Sequence, residues 1–140
     1  MLVFEHGALI TRHGPADGND DGIYPVFDDV SSAALRVALT GLAERQRVIA
    51  NNISNVETPG FRAGRVQFEA ALSSAIASGR SPETVQPTTE QSLEPTRLNG
   101  SNVNMDTETL SNIDTNLRYQ LLLRALDGKY STLRTVIRGQ

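Results

Sequence analysis

Between Leu35 and Val56 the chain spaces its apolar residues in a way that suits only a helix with one covered face. Leu35, Leu39, Leu42, Gln46, Ile49, Ile53 and Val56 follow at intervals of 4, 3, 4, 3, 4 and 3, a heptad seam with one polar member. The spacing predicts a helix from Ser31 to about Val56, roughly 37 Å long at 1.5 Å per residue. Ser31 or Ser32 can cap its start, and Asp28 and Asp29 lie just upstream, where carboxylates favour the positive helix end. Gln46 either fixes register from a buried seam position or points to solvent at the seam's edge, and the pattern leaves both open.

A second periodic segment starts at Met105. Asp106 is its expected cap, Glu108 falls in its first turn, and Leu110, Ile113, Leu117 and Leu121 begin a stripe that drifts by a residue into Leu126, Tyr130, Leu133 and Ile137. Neither stripe can be covered except by the other helix or by a neighbouring subunit. The expected fold is therefore all-α, with long N- and C-terminal amphipathic helices packed as an antiparallel coiled-coil-like hairpin around a variable, largely irregular centre. Val37, Val48, Leu122 and Leu123 lie off the seams and widen the stripes beyond what one partner helix covers, which predicts assembly. Tyr119 and Tyr130, at helical spacing, belong to core or interface; no stacking platform for bases accompanies them.

The rest of the chain is organised around these helices. Residues 1–25 contain "GPADGNDDGIYP", too rich in Gly and Pro for a packed element, and read as a flexible extension. Residues 26–62 form the first helix with its turn, 63–103 a variable and partly disordered centre, and 104–140 the second helix. Within the centre, Val66 to Ser78 suits a short amphipathic helix through Phe68, Leu72 and Ile76. The following "SGRSPETVQPTTEQSLEPTRLNGSN" reads as a long flexible loop, with a small hairpin at Asn99-Gly100, a dipeptide suited to a type I′ turn.

Composition narrows the function classes. A formal charge of −3 without a basic cluster disfavours nucleic acid or an anionic membrane as main partner. No apolar run reaches the roughly 18 residues of a membrane span, and "MLVFEHGALITRHG" lacks the layout of a cleavable signal. The absence of cysteine removes disulfides, thiolate metal sites and Cys nucleophiles.

Candidate chemistry fares no better. Asp17, Asn19, Asp21 and Gly22 match the first half of an EF-hand loop, with Asp28 at its twelfth position. However, "HGPA" cannot continue an entering helix, Pro25 interrupts the loop, and position twelve is not Glu. His6 and His13, the two histidines, are too few for a metal site. No Ser-His-Asp set and no phosphate-cradling glycine loop can be assembled, so neither an enzyme nor a cofactor or metal site is expected.

The remaining feature is the end of the first helix, "ANNISNVETPGFRA" from Ala50 to Ala63. Asn55 suits a left-handed C-terminal cap, and Thr58-Pro59-Gly60 suits a tight turn with Pro second and Gly supplying positive φ third, after which Phe61 anchors the departing chain. Asn51 and Asn52 precede the stop, on the helix, where asparagine is a poor former; amides there can join neighbouring helices across an assembly.

The segment "LAERQRVIANNISNVETPGFRA", Leu42 to Ala63, closely resembles the N-terminal pattern of bacterial flagellar basal-body rod proteins. In that family a helix ends in Ala-Asn-Asn-Ile-x-Asn-x-x-Thr-Pro-Gly-Phe or Tyr. The segment "NVNMDTETLSNIDTNLRYQLLLRALDGKYSTLRTVIRG" is similar to the same family, and "FDDV" at Phe27 matches how its proximal-rod subunits begin. The resemblance implies a structural subunit of the proximal rod that transmits torque and forms part of the export channel wall. It implies a place in the periplasmic stretch of the basal body and export through the flagellar type III apparatus without signal cleavage. The export signal would map near Phe27 to Leu42. Implied neighbours are other rod subunits, the rod-to-ring adaptor and the membrane ring, and the seam residues Leu35 to Val56 with Leu117, Leu126, Tyr130, Leu133 and Ile137 would carry assembly. Alternatives are another rod paralogue or, in a different class, a cytoplasmic helical adaptor or export chaperone. Residues 1–25 have no counterpart in the family pattern, and Val26 suits an internal GTG start, so the natural chain is expected to begin there.

Overall fold

The computed structural model describes residues 24–138. The EF-hand-like residues Asp17 to Gly22, both histidines and residues 1–23 of the expected flexible extension lie outside them, whereas its last two residues, Tyr24 and Pro25, are helical. Along the described chain run α1 (Tyr24–Ser54), β1 (Gly64–Gln67), α2 (Glu69–Ala77), a single 3-10 turn at Pro82–Thr84, β2 (Thr88–Gln91) and α3 (Met105–Arg138). The molecule is mostly helical, but it is not all-α. β1 and β2 pair antiparallel, Gly64 opposite Gln91 and Gln67 opposite Thr88.

Helix α1 starts seven residues before the expected cap. Pro25 sits in its first turn, where the missing N–H costs nothing. Ser31 and Ser32 are therefore inside the helix, and the Ser32 hydroxyl accepts from Lys129 Nζ at 3.1 Å instead of capping. At its other end Asn55 does not take the left-handed conformation, since Gly60, Gly79 and Gly100 hold the positive φ values among the described residues. The helix instead stops by side-chain competition: Ser54 Oγ and Asn55 Nδ2 both donate back to the Asn51 carbonyl, at 2.9 and 2.8 Å.

Helix α2 buries Leu72 as its pattern predicts but starts at Glu69, since Val66 belongs to β1 and Phe68 precedes the helix, and Ile76 is exposed; it closes in a Schellman arrangement. Arg80 N–H reaches the Ala75 carbonyl at 2.9 Å and Gly79 N–H reaches Ile76 at 3.1 Å, with Gly79 at φ +69. Helix α3 is capped two residues earlier than expected. Asn104 Oδ1, not Asp106, accepts the Asp106 and Thr107 amides at 3.0 and 3.3 Å.

Three contacts join the long helices in opposite order along their lengths: Ser32 with Lys129, Gln46 Nε2 donating to Asn116 Oδ1 at 2.6 Å, and Asn52 with Glu108. Gln46 is thus half-buried and bonded across the helix pair. Leu42, Val66, Phe68 and Leu72 form the core, with Val37, Ala38, Val48, Tyr119 and Leu122 packed against them. Phe68 can sit there because Gly41 has no side chain: a Cβ on Gly41 would lie 2.5 to 2.7 Å from the Phe68 ring. Gly41→Ala should accordingly cost about 1–3 kcal/mol through overpacking, despite alanine's better helix propensity. A raised urea midpoint for this variant would contradict the placement.

The centre is not an irregular loop. Val66, Phe68 and Leu72 tie its first half into the core, whereas its second half is ordered largely by hydrogen bonding, all four β2 residues being exposed. Ser92 N–H donates to the Ala63 carbonyl at 2.7 Å, Asn102 Nδ2 donates to the Ser92 and Glu94 carbonyls, and Ala63 N–H donates to Asn102 Oδ1 at 2.7 Å. The hairpin at Asn99-Gly100 exists with a different turn. Gly100 N–H reaches Arg97 O at 2.9 Å, Arg97 N–H reaches Ser101 O at 2.7 Å, and Gly100 alone of the pair has positive φ. That is the three-residue loop ending in a left-handed glycine; type I′ would need Asn99 left-handed too.

Candidate functional site

Two features stand out on this frame. The first is a polar joint where the end of α1, β1 and the start of α3 meet. Asn52 is fully buried. Its Oδ1 accepts Gly64 N–H at 2.9 Å, and its Nδ2 donates to Gly64 O at 3.0 Å and to Glu108 Oε2 at 3.1 Å. Its amide, expected to reach a neighbouring subunit, is thus satisfied inside the chain.

Glu108 is likewise fully buried, and Arg65, reaching in from β1, binds its Oε1 at 2.6 Å while also contacting Glu94 at 3.3 Å. No buried side-chain nitrogen or oxygen among the described residues lacks a hydrogen-bond partner. Both carboxylate oxygens of Glu108 are hydrogen-bonded, Oε1 to Arg65 and Oε2 to Asn52, and such a satisfied buried polar network specifies one arrangement.

The turn after the joint follows the sequence expectation. Phe61 N–H reaches the Thr58 carbonyl at 3.3 Å and Gly60, in the third place, has φ +70, as a type II turn requires. Thr58 Oγ1 donates to Asn55 Oδ1, Pro59 is exposed, and half-buried Phe61 accepts Asn102 N–H on its carbonyl at 3.2 Å. Gly60 N–H donates to Asn99 O at 2.9 Å, so the turn docks against the Arg97–Ser101 hairpin. Asn51 is exposed. Sequence reasoning did not single out Arg65, Asn102 or Asn104, and read Glu108 only as a first-turn acid. Their one signal is a cluster of amides and acids just before the second periodic segment.

The second feature is the outer surface of α3. The face turned toward α1 runs through Glu108, Ser111, Thr115, Tyr119, Leu122, Leu126 and Lys129. Leu110, Ile113, Leu117 and Leu121 consequently face away and are between 54% and 68% exposed. Farther along, Tyr130, Leu133 and Ile137 are exposed too. On α1, Leu42 and Ile49 are buried within the chain, whereas Leu35, Leu39, Gln46, Ile53 and Val56 are half-buried.

Beside the α3 stripe lies an apolar groove of about 550 Å³, lined by Ala38, Leu42, Phe68, Leu72, Ile76 and Leu121 among others. Glu69 and Arg118 stand at its edges. Partial burial pushes the Glu69 carboxyl up, but the hydrogen bond and charge of Arg45, with backbone N–H groups, outweigh this and hold it below its usual value. Arg118 pairs with Asp114 at 2.7 Å. No group of three His, Cys, Asp or Glu side chains among the described residues could hold a metal ion, and no described helix is long and apolar enough to cross a membrane.

Comparison with known proteins bears on both features. Residues 35–62, the later part of α1 and the turn after it, match the family model described as flagella basal body rod protein. The flagellar basal body rod protein FlgB of Escherichia coli K12 is 32% identical over 134 residues, spanning 79% of this chain and 97% of that protein. FlgB of Bacillus subtilis 168 is 28% identical over 117 residues, 75% and 91% of the two chains. FlgB of Borrelia hermsii is 54% identical over a shorter stretch of 39 residues.

Proposed function

The chain belongs to the flagellar basal-body rod protein family as a structural rod subunit, and on that premise we propose that it works in the proximal rod, without a catalytic step. Its α1–α3 pair acts there as an antiparallel coiled-coil-like unit that transmits torque and walls the export channel. In this reading residues 26–62 and 104–140 supply the rod helices and 63–103 a variable insert that braces their joint.

The observation that carries the reading is the outward stripe of α3. Four large apolar side chains at helical spacing, left uncovered by the described residues, mark a surface meant for a neighbour. Leu117 at its centre, with Leu126, Tyr130, Leu133 and Ile137 beyond, faces adjoining subunits, while the half-buried edge of the α1 seam at Leu35, Leu39, Ile53 and Val56 completes the contact. Neighbours are other rod subunits, the rod-to-ring adaptor and the membrane ring. The chain reaches its periplasmic place through the flagellar type III apparatus without losing a signal peptide.

Leu117→Asp separates folding from assembly, because Leu117 is 63% exposed. The isolated variant should melt within about 2 °C of the parent, as surface changes commonly do within about 0.5 kcal/mol. In a deletion strain it should fail to restore rods or motility. Normal swimming with the variant would remove the stripe from the interface. Recovery of the parent protein only in cytosol, never in isolated basal bodies, would favour a cytoplasmic adaptor or chaperone instead.

A further inference from the structure

The described fold leaves an apolar groove open, and the sequence holds an apolar segment outside that fold. The groove, between α1, α2 and α3, has a volume of about 550 Å³ and is floored by Leu42, Phe68 and Leu72, with exposed Ile76 and Leu121 at its rim. Its charged neighbours are already paired, Glu69 with Arg45 at 2.6 Å and Arg118 with Asp114 at 2.7 Å, so what it offers an occupant is apolar surface. The segment is "MLVFEHGALI", residues 1–10, which precedes α1 and lies outside the described residues. Seven of its ten residues are apolar, against 39% in the whole chain, and Glu5 is its one charged side chain. A run of this kind gains from burial, and it is too short to cross a membrane.

We infer that residues 1–10 fold back on their own chain and seat Phe4, Leu9 and Ile10 in this groove. The length of the connection fits. Ala38 and Leu42 line the groove 14 and 18 residues after Tyr24, roughly 21 and 27 Å along α1. Thirteen residues, Thr11 to Ile23, join the segment to Tyr24. Such a stretch spans at most about 43 Å, and a glycine-rich chain of that length has a root-mean-square span of roughly 20 Å. A tether whose typical span matches the distance to its site gives the tethered group its highest effective concentration there, which favours the chain's own segment over that of a second copy. The charges agree. The Ser32 contact with Lys129 and the antiparallel order of the helices put Tyr24 about level with Ile137, so the path from Tyr24 to the groove runs along the last turns of α3. Those turns carry Arg124, Lys129, Arg134 and Arg138 against Asp127, whereas the connecting stretch carries Asp17, Asp20 and Asp21 against Arg12. The seated segment covers Ile76 and Leu121. This contact concerns the 140-residue chain and stands apart from the rod reading; a chain begun at Val26 leaves the groove open.

The chain has no cysteine, so pairs of cysteines introduced into the full chain report the contact without background. A disulfide closes only when the two Cα atoms come within about 7 Å. Leu9→Cys with Ile76→Cys places one thiol in the segment and one at the groove's rim. Leu9→Cys with Thr40→Cys is the reference, since Thr40 is exposed at the same height on α1 but on the side of Glu83 and Val85. On mild oxidation of dilute protein, the first pair should close within one chain about tenfold faster than the second, seen as a faster-migrating monomer on a non-reducing gel. Equal rates would overturn the contact, and so would a disulfide formed only between two chains. Phe4→Asp in the cysteine-free chain gives an independent reading. It should roughly double the fluorescence of a dye that binds open hydrophobic surface, because the groove loses its cover. Unchanged fluorescence would also overturn the contact, and since neither readout involves a rod, the rod reading would stand.

Discussion

Arg65→Met should lower the stability of the isolated chain by about 3 kcal/mol, although Arg65 lies at the edge of the fold. The effect comes from what the substitution leaves behind. Glu108 is fully buried, and Arg65, at 2.6 Å, is its one cationic partner among the described residues. Removing one member of a buried pair strands the other's charge in a medium that solvates it poorly, at a cost commonly of about 3–5 kcal/mol. Arg65 retains some exposure and water can follow it inward, which places the estimate at the low end of that range. The double variant Arg65→Met with Glu108→Met should recover most of the loss, since an ion pair replaced by apolar groups of similar volume is often neutral. Urea midpoints of the three variants check both statements; a single variant within about 0.5 kcal/mol of the parent would contradict the joint's role.

Phe68→Ala should be the costliest apolar truncation, about 3–5 kcal/mol. Phe68 is buried in a four-residue core, and its ring supplies the three atoms nearest to where a Gly41 Cβ would lie. A chain of this size has a total stability on the order of 10 kcal/mol, so the variant should still fold but melt roughly 10–20 °C below the parent. It should also couple to the neighbouring glycine. Once the ring is gone, Gly41→Ala no longer meets an obstacle, and adding it to Phe68→Ala should cost nothing or restore a few tenths of a kcal/mol through helix propensity. Equal costs for Gly41→Ala in both backgrounds would show that the ring is not what confines that position.

Both predictions concern places where the linear pattern was least informative. The stripe Leu110, Ile113, Leu117 and Leu121 is the clearest apolar signal in α3, yet it faces outward. The face that meets α1 starts with Glu108, Ser111 and Thr115. Hydrophobic periodicity identifies that a face will be covered, but not by what, and in a subunit built for assembly the strongest stripe can belong to the neighbour. The centre was misjudged for a related reason. Order in a polar segment such as Thr88 to Asn102 depends on backbone groups finding partners at Ala63 and Phe61, far away in sequence, and composition carries no record of that.

By itself the sequence determined the two long helices, the short one between them, the turn at Thr58-Pro59-Gly60 and the rod family. These rest on local rules: helical periodicity, proline and glycine geometry, and a long contiguous motif. Only the tertiary structure decided that Asn52 and Glu108 close an internal joint with Arg65, that a strand pair braces it, and which side of α3 is left uncovered. Those outcomes depend on which residues distant in the chain meet at hydrogen-bonding distance, a condition set by the packing of all the elements together and by no single stretch of them.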